Sequence, residues 1–201
     1  MSLFRKIFGP KSKDPQKDPS NERGKYMPEI KIPVDERFTI NFKANGGKFL
    51  YCENMDEVFF SLEQIQQENR WQDANVLVLD DRIKGLFKNS KLNTTKKAYE
   101  ADYFLSTCEN LIADDGSLLI SSNQIAEKKL TELPENFVIY ATTSQIVENI
   151  GEGLRGIKDK NKKKIPTNIT TIKHFKDKDH KDFLSYGSST KNLYLLLLED
   201  L

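Results

Sequence analysis

The chain contains few of the residues that build metal and redox centres. Its 201 residues include two cysteines and two histidines. Cys52 and Cys108 belong to no CxxC pattern, which excludes the usual zinc and iron–sulfur sites, because these need about four clustered ligands. His174 and His180 lie in a charged segment that is typical of solvated surface. We therefore predict no metal, no bound cofactor and two buried free thiols.

Long hydrophobic runs and an extended basic face are also missing. No window approaches the ~20 apolar residues of a membrane span, and no signal-peptide core follows Met1. Lys and Arg (31) nearly balance Asp and Glu (30), and no basic face carries the interleaved aromatic residues that a nucleic-acid footprint needs. These absences predict a cytoplasmic protein without a transmembrane segment and without a nucleic-acid partner.

The charges are unevenly distributed along the chain. Residues 1–25 carry seven Lys or Arg against three Asp or Glu, and residues 158–164 carry five against one. Residues 10–33 are rich in Pro, Lys, Asp and Ser and cannot bury enough apolar surface to offset their chain entropy. We predict a disordered, basic, Pro-rich tail over residues 1–33 and one domain over residues 34–201.

From residue 34 onward, short apolar runs alternate with amphipathic segments. The predicted strands are 48–52, 75–80, 103–107, 136–141, 169–172 and 193–198. The predicted helices are 35–45, a helix capped by Asn54, 82–88, 125–133 and 144–157. This alternation is typical of an α/β fold with a mostly parallel sheet flanked by helices.

One antiparallel hairpin interrupts this pattern. The apolar runs 111–113 and 118–120 are separated by Asp114-Asp115-Gly116-Ser117, a sequence suited to a tight turn. Two adjacent carboxylates repel, so one of them could act as a base or nucleophile, although Asp and Gly are also ordinary turn residues. The candidate ligand-binding residues of this corner are Thr107, Glu109, Asn110, Asp114, Asp115 and Gly116.

A second group of candidates follows the predicted strand 136–141. Thr142, Thr143 and Ser144 supply hydroxyl groups where a strand meets a helix, and ligands of open α/β sheets bind beyond the carboxyl ends of strands. A helix N-terminus there also favours an anion. Thr142 and Gln145 equally fit a capping box, which is a structural role. We expect this turn and the 107–123 corner to share one rim of the sheet.

An ordered set of short motifs resembles one family. The matching segments are Ala101-Asp-Tyr-Phe, Ile112-Ala-Asp-Asp-Gly-Ser-Leu-Leu, Leu133-Pro, Phe137-Val-Ile-Tyr-Ala and Gln145-Ile-Val. Together they look like the LUD-domain (LutC-like, lactate-utilisation) family, and the resemblance extends from Phe42 to Leu198. Relatives often carry a Ser-Gly-Pro-Ser-Arg segment before the last strand, which this chain replaces with the unrelated residues 172–187.

The resemblance implies a three-layer fold like that of the sugar-phosphate isomerases and CoA-transferases. It also implies an accessory role in the cytoplasm beside an iron–sulfur system that oxidises L-lactate to pyruvate. Family members of this type carry no cluster themselves. The implied partners are iron–sulfur lactate-oxidising subunits and a small anionic ligand.

Two alternatives stay open on the residues alone. In the first, the chain is an enzyme that binds a small anion, an acyl-CoA or a sugar phosphate and uses carboxylate chemistry at the Asp114-Asp115-Gly116 turn. In the second, it is a scaffold whose basic tail docks a partner or a membrane.

Overall fold

The structure is a computed structural model that describes residues 32–175 and 191–200. The predicted tail, residues 1–33, lies almost entirely outside these residues and stays a prediction. The helices of the described part are α1 (Val34–Ala44), α2 (Met55–Asn69), α3 (Asp81–Leu86), α4 (Ser122–Ile125) and α5 (Ile150–Lys160). Its strands are β1 (Lys48–Cys52), β2 (Asn75–Leu77), β3 (Asn93–Thr95), β4 (Tyr103–Thr107), β5 (Asn110–Ile112), β6 (Ser117–Ile120), β7 (Asn136–Thr142), β8 (Ile146–Val147), β9 (Thr170–Ile172) and β10 (Asn192–Leu198). Single 3₁₀ turns occur at Ala98–Glu100, Leu130–Glu132 and Thr143–Gln145.

Six strands form a parallel sheet, sheet A, in the order β1-β10-β7-β4-β2-β3. Each of its pairings is parallel, which confirms the predicted α/β architecture. Strand β10 lies between β1 and β7, and its Leu195 is opposite Phe49 on one side and Ile139 on the other. Nearly all of β10 is buried, as expected for a continuously apolar strand that is covered on both faces.

Four short strands form a second, mixed sheet, sheet B, in the order β8-β5-β6-β9. Strands β5 and β6 are the arms of the predicted hairpin and pair antiparallel, with Leu111 opposite Leu118. The hairpin is therefore confirmed, but it is not inserted into sheet A. It is the centre of its own sheet, because β5 also pairs in parallel with β8 and β6 pairs antiparallel with β9.

Helices α2 and α3 cover one face of sheet A. On α2, the side chains of Val58, Leu62 and Ile65 lie on one face of the helix, because they are three or four residues apart. They are buried in one cluster with Val76 and Leu105 of the sheet. Burying each aliphatic side chain contributes about 1.5–3 kcal/mol, so this cluster holds the strands whose ends carry the site.

Helix α5 covers sheet B. Its Ile157 packs with Ile112 and Leu119 of the hairpin. At Gly153, an added Cβ would lie 3.0 Å from Leu119 Cδ2 and 3.4 Å from Ile112 Cδ1. A larger residue at this position would push the helix away from the sheet, so Gly153 sets the close approach of α5.

The prediction of a helix over residues 125–133 is wrong. The short helix α4 ends at Ile125, Ala126 then adopts a φ of 54°, outside helical geometry, and only a single 3₁₀ turn follows at Leu130–Glu132. Asn168 Nδ2 donates to the backbone O of Lys128 at 2.9 Å, which ties the following residues to the loop before β9. These tertiary contacts override the helical spacing of the apolar residues.

The helix predicted over residues 144–157 starts later than expected, at Ile150. Its first predicted residues form a 3₁₀ turn and then β8, which pairs with β5. Asn149 caps the helix, because its Oδ1 accepts from the backbone N of Glu152 at 3.0 Å. Asn followed three positions later by Glu is a capping-box sequence, so the sequence itself indicates a helix that begins after Asn149.

Candidate functional site

The structure divides the predicted site residues between two places. At the carboxyl edge of sheet A, where β4 and β7 end, lie Thr107, Glu109, Asn110, Thr142, Thr143 and Ser144. At the turn between β5 and β6, here called the hairpin tip, lie Asp114, Asp115 and Gly116. Asp114 is four residues beyond Asn110, or about 13 Å at the rise of an extended strand. The candidates therefore form two separate groups.

Hydrogen bonds join the ends of β4 and β7 at the carboxyl edge. The side chain of Gln145 donates from Nε2 to the backbone O of Cys108 at 2.6 Å. Asn110 Nδ2 donates to the backbone O of Gln145 at 3.2 Å. The 107–110 segment and the 142–145 turn therefore lie side by side.

Three donors fix one oxygen of the Glu109 carboxylate. Its Oε1 accepts from Ser121 Oγ at 2.6 Å, Asn123 Nδ2 at 2.8 Å and Gln124 Nε2 at 3.2 Å. All three donors come from the turn that follows β6. Hydrogen bonds to a charged acceptor are stronger than those between neutral groups, so Glu109 is held in one orientation at the edge.

The hydroxyl groups of the 142–144 turn bind a carboxylate of the same chain. Asp200, which follows β10, accepts at Oδ1 from Thr143 Oγ1 at 2.9 Å and from the backbone N of Ser144 at 2.8 Å. Its Oδ2 accepts from Ser144 Oγ at 2.6 Å, and Thr142 Oγ1 lies 2.9 Å from the same hydroxyl. These are the donors that the sequence assigns to an external anion, so such an anion would have to displace Asp200.

The contacts of Asp200 also change its titration. Partial burial raises the pKa of the carboxyl, but hydrogen bonds from the hydroxyl and backbone N–H of Ser144, and from Thr142 and Thr143, outweigh burial. The pKa of Asp200 is therefore below its ordinary value, and the group is ionised at neutral pH.

At the hairpin tip, both carboxylates have cationic partners. Asp114 lies 3.3 Å from Arg37 Nη2, and Asp115 lies 3.6 Å from Lys173 Nζ. Asp115 Oδ1 also accepts from the backbone N and Oγ of Ser117, at 3.1 and 2.6 Å. These contacts are ordinary turn and ion-pair chemistry, so they support the structural interpretation of the two aspartates.

Helix α1 holds the tip from outside. Asn41 Nδ2 donates to the backbone O of Ala113 at 2.8 Å, and Asn45 Nδ2 donates to that of Asp115 at 2.7 Å. Gly116 has a φ of 68°, and a Cβ there would lie 2.4 Å from the backbone of Asn41. The turn and the helix are thus in direct backbone contact.

Two residues at the carboxyl edge, Asp80 and Arg82, are not among the candidates predicted from the sequence. They follow strand β2. From β2 the chain continues to β3 on one side of it in the sheet, whereas from the adjacent strand β4 the chain continues to β7 on the opposite side. Ligands of open α/β sheets bind at such switch points. Leu77 pairs with Phe104, and extending this register by three residues brings Asp80 level with Thr107. The sequence signal that identifies them is the presence of polar residues directly after a buried strand.

The guanidinium group of Arg82 is anchored but still accessible. Its Nε donates to Asp80 Oδ1 at 3.0 Å and its Nη2 to Asp80 Oδ2 at 2.6 Å. The Asp80 side chain is 5% exposed, whereas that of Arg82 is 69% exposed. The hydrogen bond to Asp80 raises the pKa of Arg82, burial lowers it, and the charges of Asp80 and Glu109 raise it further. We call Asp80, Arg82, Thr107 and Glu109 the edge cluster.

Both cysteine thiols are buried, as predicted. Burial raises the pKa of the Cys52 and Cys108 thiols, and the neighbouring Glu109 carboxylate raises that of Cys108 further. Within residues 32–175 and 191–200, no three His, Cys, Asp or Glu side chains come together as metal ligands. No helix in this part of the chain is long and apolar enough to cross a membrane.

These features define an α/β protein with a parallel sheet and a polar switch-point edge, and comparison with known proteins places it in a family. The model of the LUD domain family matches residues 60–197, so the chain belongs to the LUD-domain family, as the resemblance predicts. No curated protein matches the chain.

A solved structure shares the fold. It is the crystal structure of a DUF162 family protein from Deinococcus radiodurans, to which the chain is similar with a TM-score of 0.59 and 12% identity. The alignment covers 83% of this chain and 96% of that chain. At this level of identity the similarity concerns the fold alone.

Proposed function

We propose that this LUD-domain protein is an accessory component of organic-acid utilisation in the cytoplasm, with lactate as the acid that its family resemblance suggests. It binds a small organic anion and works beside an iron–sulfur protein that carries the electrons. Membership of the LUD-domain family supports this proposal. The proposal also fits the chain's own chemistry at the carboxyl edge of sheet A.

The observation that carries the proposal is the edge cluster at the switch point. Arg82 offers an exposed cation that Asp80 holds in place, and a guanidinium group is suited to binding a carboxylate. Thr107 is partly exposed at the level of Asp80 and supplies a hydroxyl for a hydroxy acid. The fixed carboxylate of Glu109, whose charge acts on Arg82, would accept a hydrogen bond from the ligand's hydroxyl group.

The state of the two thiols supports the proposal of a separate redox partner. Cys52 is the last residue of β1 and Cys108 follows the end of β4, and both are buried, whereas iron–sulfur clusters need several soft thiolate ligands together. Electron transfer in lactate oxidation would therefore take place on a partner subunit, while this chain positions the acid.

The alternative of carboxylate chemistry at the hairpin tip receives less support. Asp114 and Asp115 are engaged by Arg37, Lys173 and Ser117. If the edge cluster is the site, Asp115→Asn will leave ligand binding unchanged. A loss of binding or turnover in the folded Asp115→Asn variant would favour the enzyme alternative instead.

Calorimetric titration of the purified full chain with L-lactate tests the binding site. We expect saturable binding that Arg82→Gln weakens by about tenfold or more, because a charge-assisted bidentate contact is lost. Arg155→Gln is the matched control, since Arg155 is an exposed arginine of α5, on sheet B. Equal binding by wild type and Arg82→Gln, or no binding of lactate and related hydroxy acids, would overturn this site.

Purification from cells that grow on lactate tests the partner. A tagged full chain should co-purify with a protein that shows the visible absorption of an iron–sulfur cluster, and this absorption should bleach on reduction with L-lactate. Co-purified material without such a cluster would contradict the accessory role.

A further inference from the structure

A cavity of about 160 Å³ lies beneath α3, on the helix-covered face of sheet A. Its floor consists of four apolar side chains, Val78, Ile83, Phe87 and Leu105, all at most 5% exposed. Its rim is formed by residues of α3, of the loop that follows it and of β3. None of the four residues of the edge cluster lines it.

The size and floor of this cavity restrict what it can hold. Protein interiors are packed as densely as organic crystals, so an opening of this size among buried side chains is unusual. An apolar cavity of roughly 150 Å³ accepts a benzene-sized molecule. Pockets for drug-sized ligands occupy roughly 300–1,000 Å³, so this cavity is too small to enclose an acyl-CoA or a nucleotide.

The rim adds positive charge to this apolar floor. Lys84 and Lys88 line the cavity and are exposed. They are four positions apart, and the helical hydrogen bond from the backbone N of Phe87 to the O of Ile83, at 3.0 Å, keeps them about one helical turn apart. Like charges one helical turn apart repel. Among the described residues, neither lysine has a carboxylate within ion-pair distance. An anion between the two ammonium groups would relieve the repulsion.

We propose that this cavity binds a small monocarboxylic acid with an aromatic or branched aliphatic body. The apolar body occupies the space above Phe87 and Leu105, and the carboxylate lies between Lys84 and Lys88. Ser90 and Thr94, which also line the cavity, supply hydroxyl donors to the same group. This site is separate from the lactate site proposed at Arg82 and takes a more apolar acid.

Amide NMR spectra of the full chain, recorded during titration with benzoate and with 3-methylbutanoate, test the proposal. We expect saturable shifts of amides in residues 83–94. The double variant Lys84→Gln/Lys88→Gln should weaken binding by about tenfold, the loss of two exposed ion pairs. Benzyl alcohol, which has the ring without the charge, should bind the wild type about as weakly as benzoate binds the double variant.

Two further variants separate the cavity from general surface charge. Leu92→Phe enlarges a partly buried lining residue and should abolish binding while the other amide shifts stay native. Lys91→Gln removes a neighbouring exposed lysine that does not line the cavity and should have no effect. Binding that survives Leu92→Phe and the double lysine variant, or that Lys91→Gln weakens equally, would overturn the proposal.

The same titrations distinguish this site from the lactate site. Arg82→Gln should leave benzoate binding intact, whichever way the lactate experiment turns out. An absence of saturable shifts with either acid would overturn the cavity proposal alone.

Discussion

The carboxyl edge and the hairpin tip are both polar turns between buried strands, yet they are built differently. At the tip, Asp114 and Asp115 are paired with Arg37 and Lys173, and the backbone is pressed against α1. At the edge, the carboxylate of Glu109 is fixed by uncharged donors, and the cation Arg82 is mostly exposed.

The difference separates a structural turn from a candidate site. The tip places opposite charges in contact, and its conformation depends on one glycine under a helix. The edge also contains an ion pair, but there the carboxylate of Asp80 is buried while the guanidinium of Arg82 remains accessible to a ligand. Preorganised charge next to solvent is what a binding site needs, and the edge has this property.

The largest expected effect lies in the backbone of the tip. Gly116→Ala should lower the free energy of unfolding by about 3–5 kcal/mol, because the position has a positive φ and no room for a Cβ. Urea unfolding followed by circular dichroism measures this. Gly156→Ala is the control, since a Cβ there meets nothing within 4 Å and alanine favours a helix. A small effect at Gly116 would mean that α1 and the tip are not in contact.

The next effect compares the carboxylates of the two regions. Glu109→Ala should lower the free energy of unfolding by about 2 kcal/mol, because it removes the shared acceptor of three side chains, including the buried Ser121. Asp114→Ala should cost about 0.5 kcal/mol, since its ion pair is exposed and Arg37 keeps Glu148. Equal losses in urea unfolding would remove the distinction between edge and tip.

A smaller effect depends on pH and tests the Asp200 contact. Folding lowers the pKa of Asp200. The carboxylate therefore contributes to the free energy of unfolding above its unfolded pKa of about 3.9, and this contribution is lost as the pH falls through the folded pKa. Asp200→Asn should therefore cost about 0.5 kcal/mol or less at pH 7, given its exposure. Stability measured against pH should show this difference shrinking in acid. A difference that grows in acid would contradict the assignment.

The smallest expected effect is the absence of a reaction. Thiol reagents should not label Cys52 or Cys108 in the folded protein, since both are buried and have raised pKa values. Quantitative labelling with and without denaturant measures this. Rapid native labelling of Cys108, next to Glu109, would show that the edge opens readily and is less preorganised than the contacts indicate.

The sequence predicted the elements that have a clear local signal. Strands such as β4 and β10 are strongly apolar, and the cap at Asn54 accepts from the backbone N of Glu57 as expected. Strand β3 was missed because its residues, Asn-Thr-Thr, are polar and stand at the sheet edge. Residues 125–133 were misassigned because distant contacts, such as Asn168 to Lys128, decide their conformation.

The candidate site was predictable in its location but not in its contacts. Polar residues at strand ends suggested the edge at Thr107 and Ser144. The partner of Ser144, Asp200, is 56 residues away, and no local pattern indicates that it takes those donors. Arg82 likewise became a candidate only when the strand order revealed a switch point beside it.

The position of β10 between β1 and β7 has a consequence for synthesis. In sheet A, β1 pairs only with β10 among the described strands, and Lys48 and Tyr194 of these two strands are 146 residues apart. Pairing between such distant strands is slow, because the entropy of closing a long loop is lost before the stabilising contacts form. While the ribosome is still making the intervening residues, β1 has an open hydrogen-bonding edge, and a chaperone that shields this segment should raise the yield of native protein.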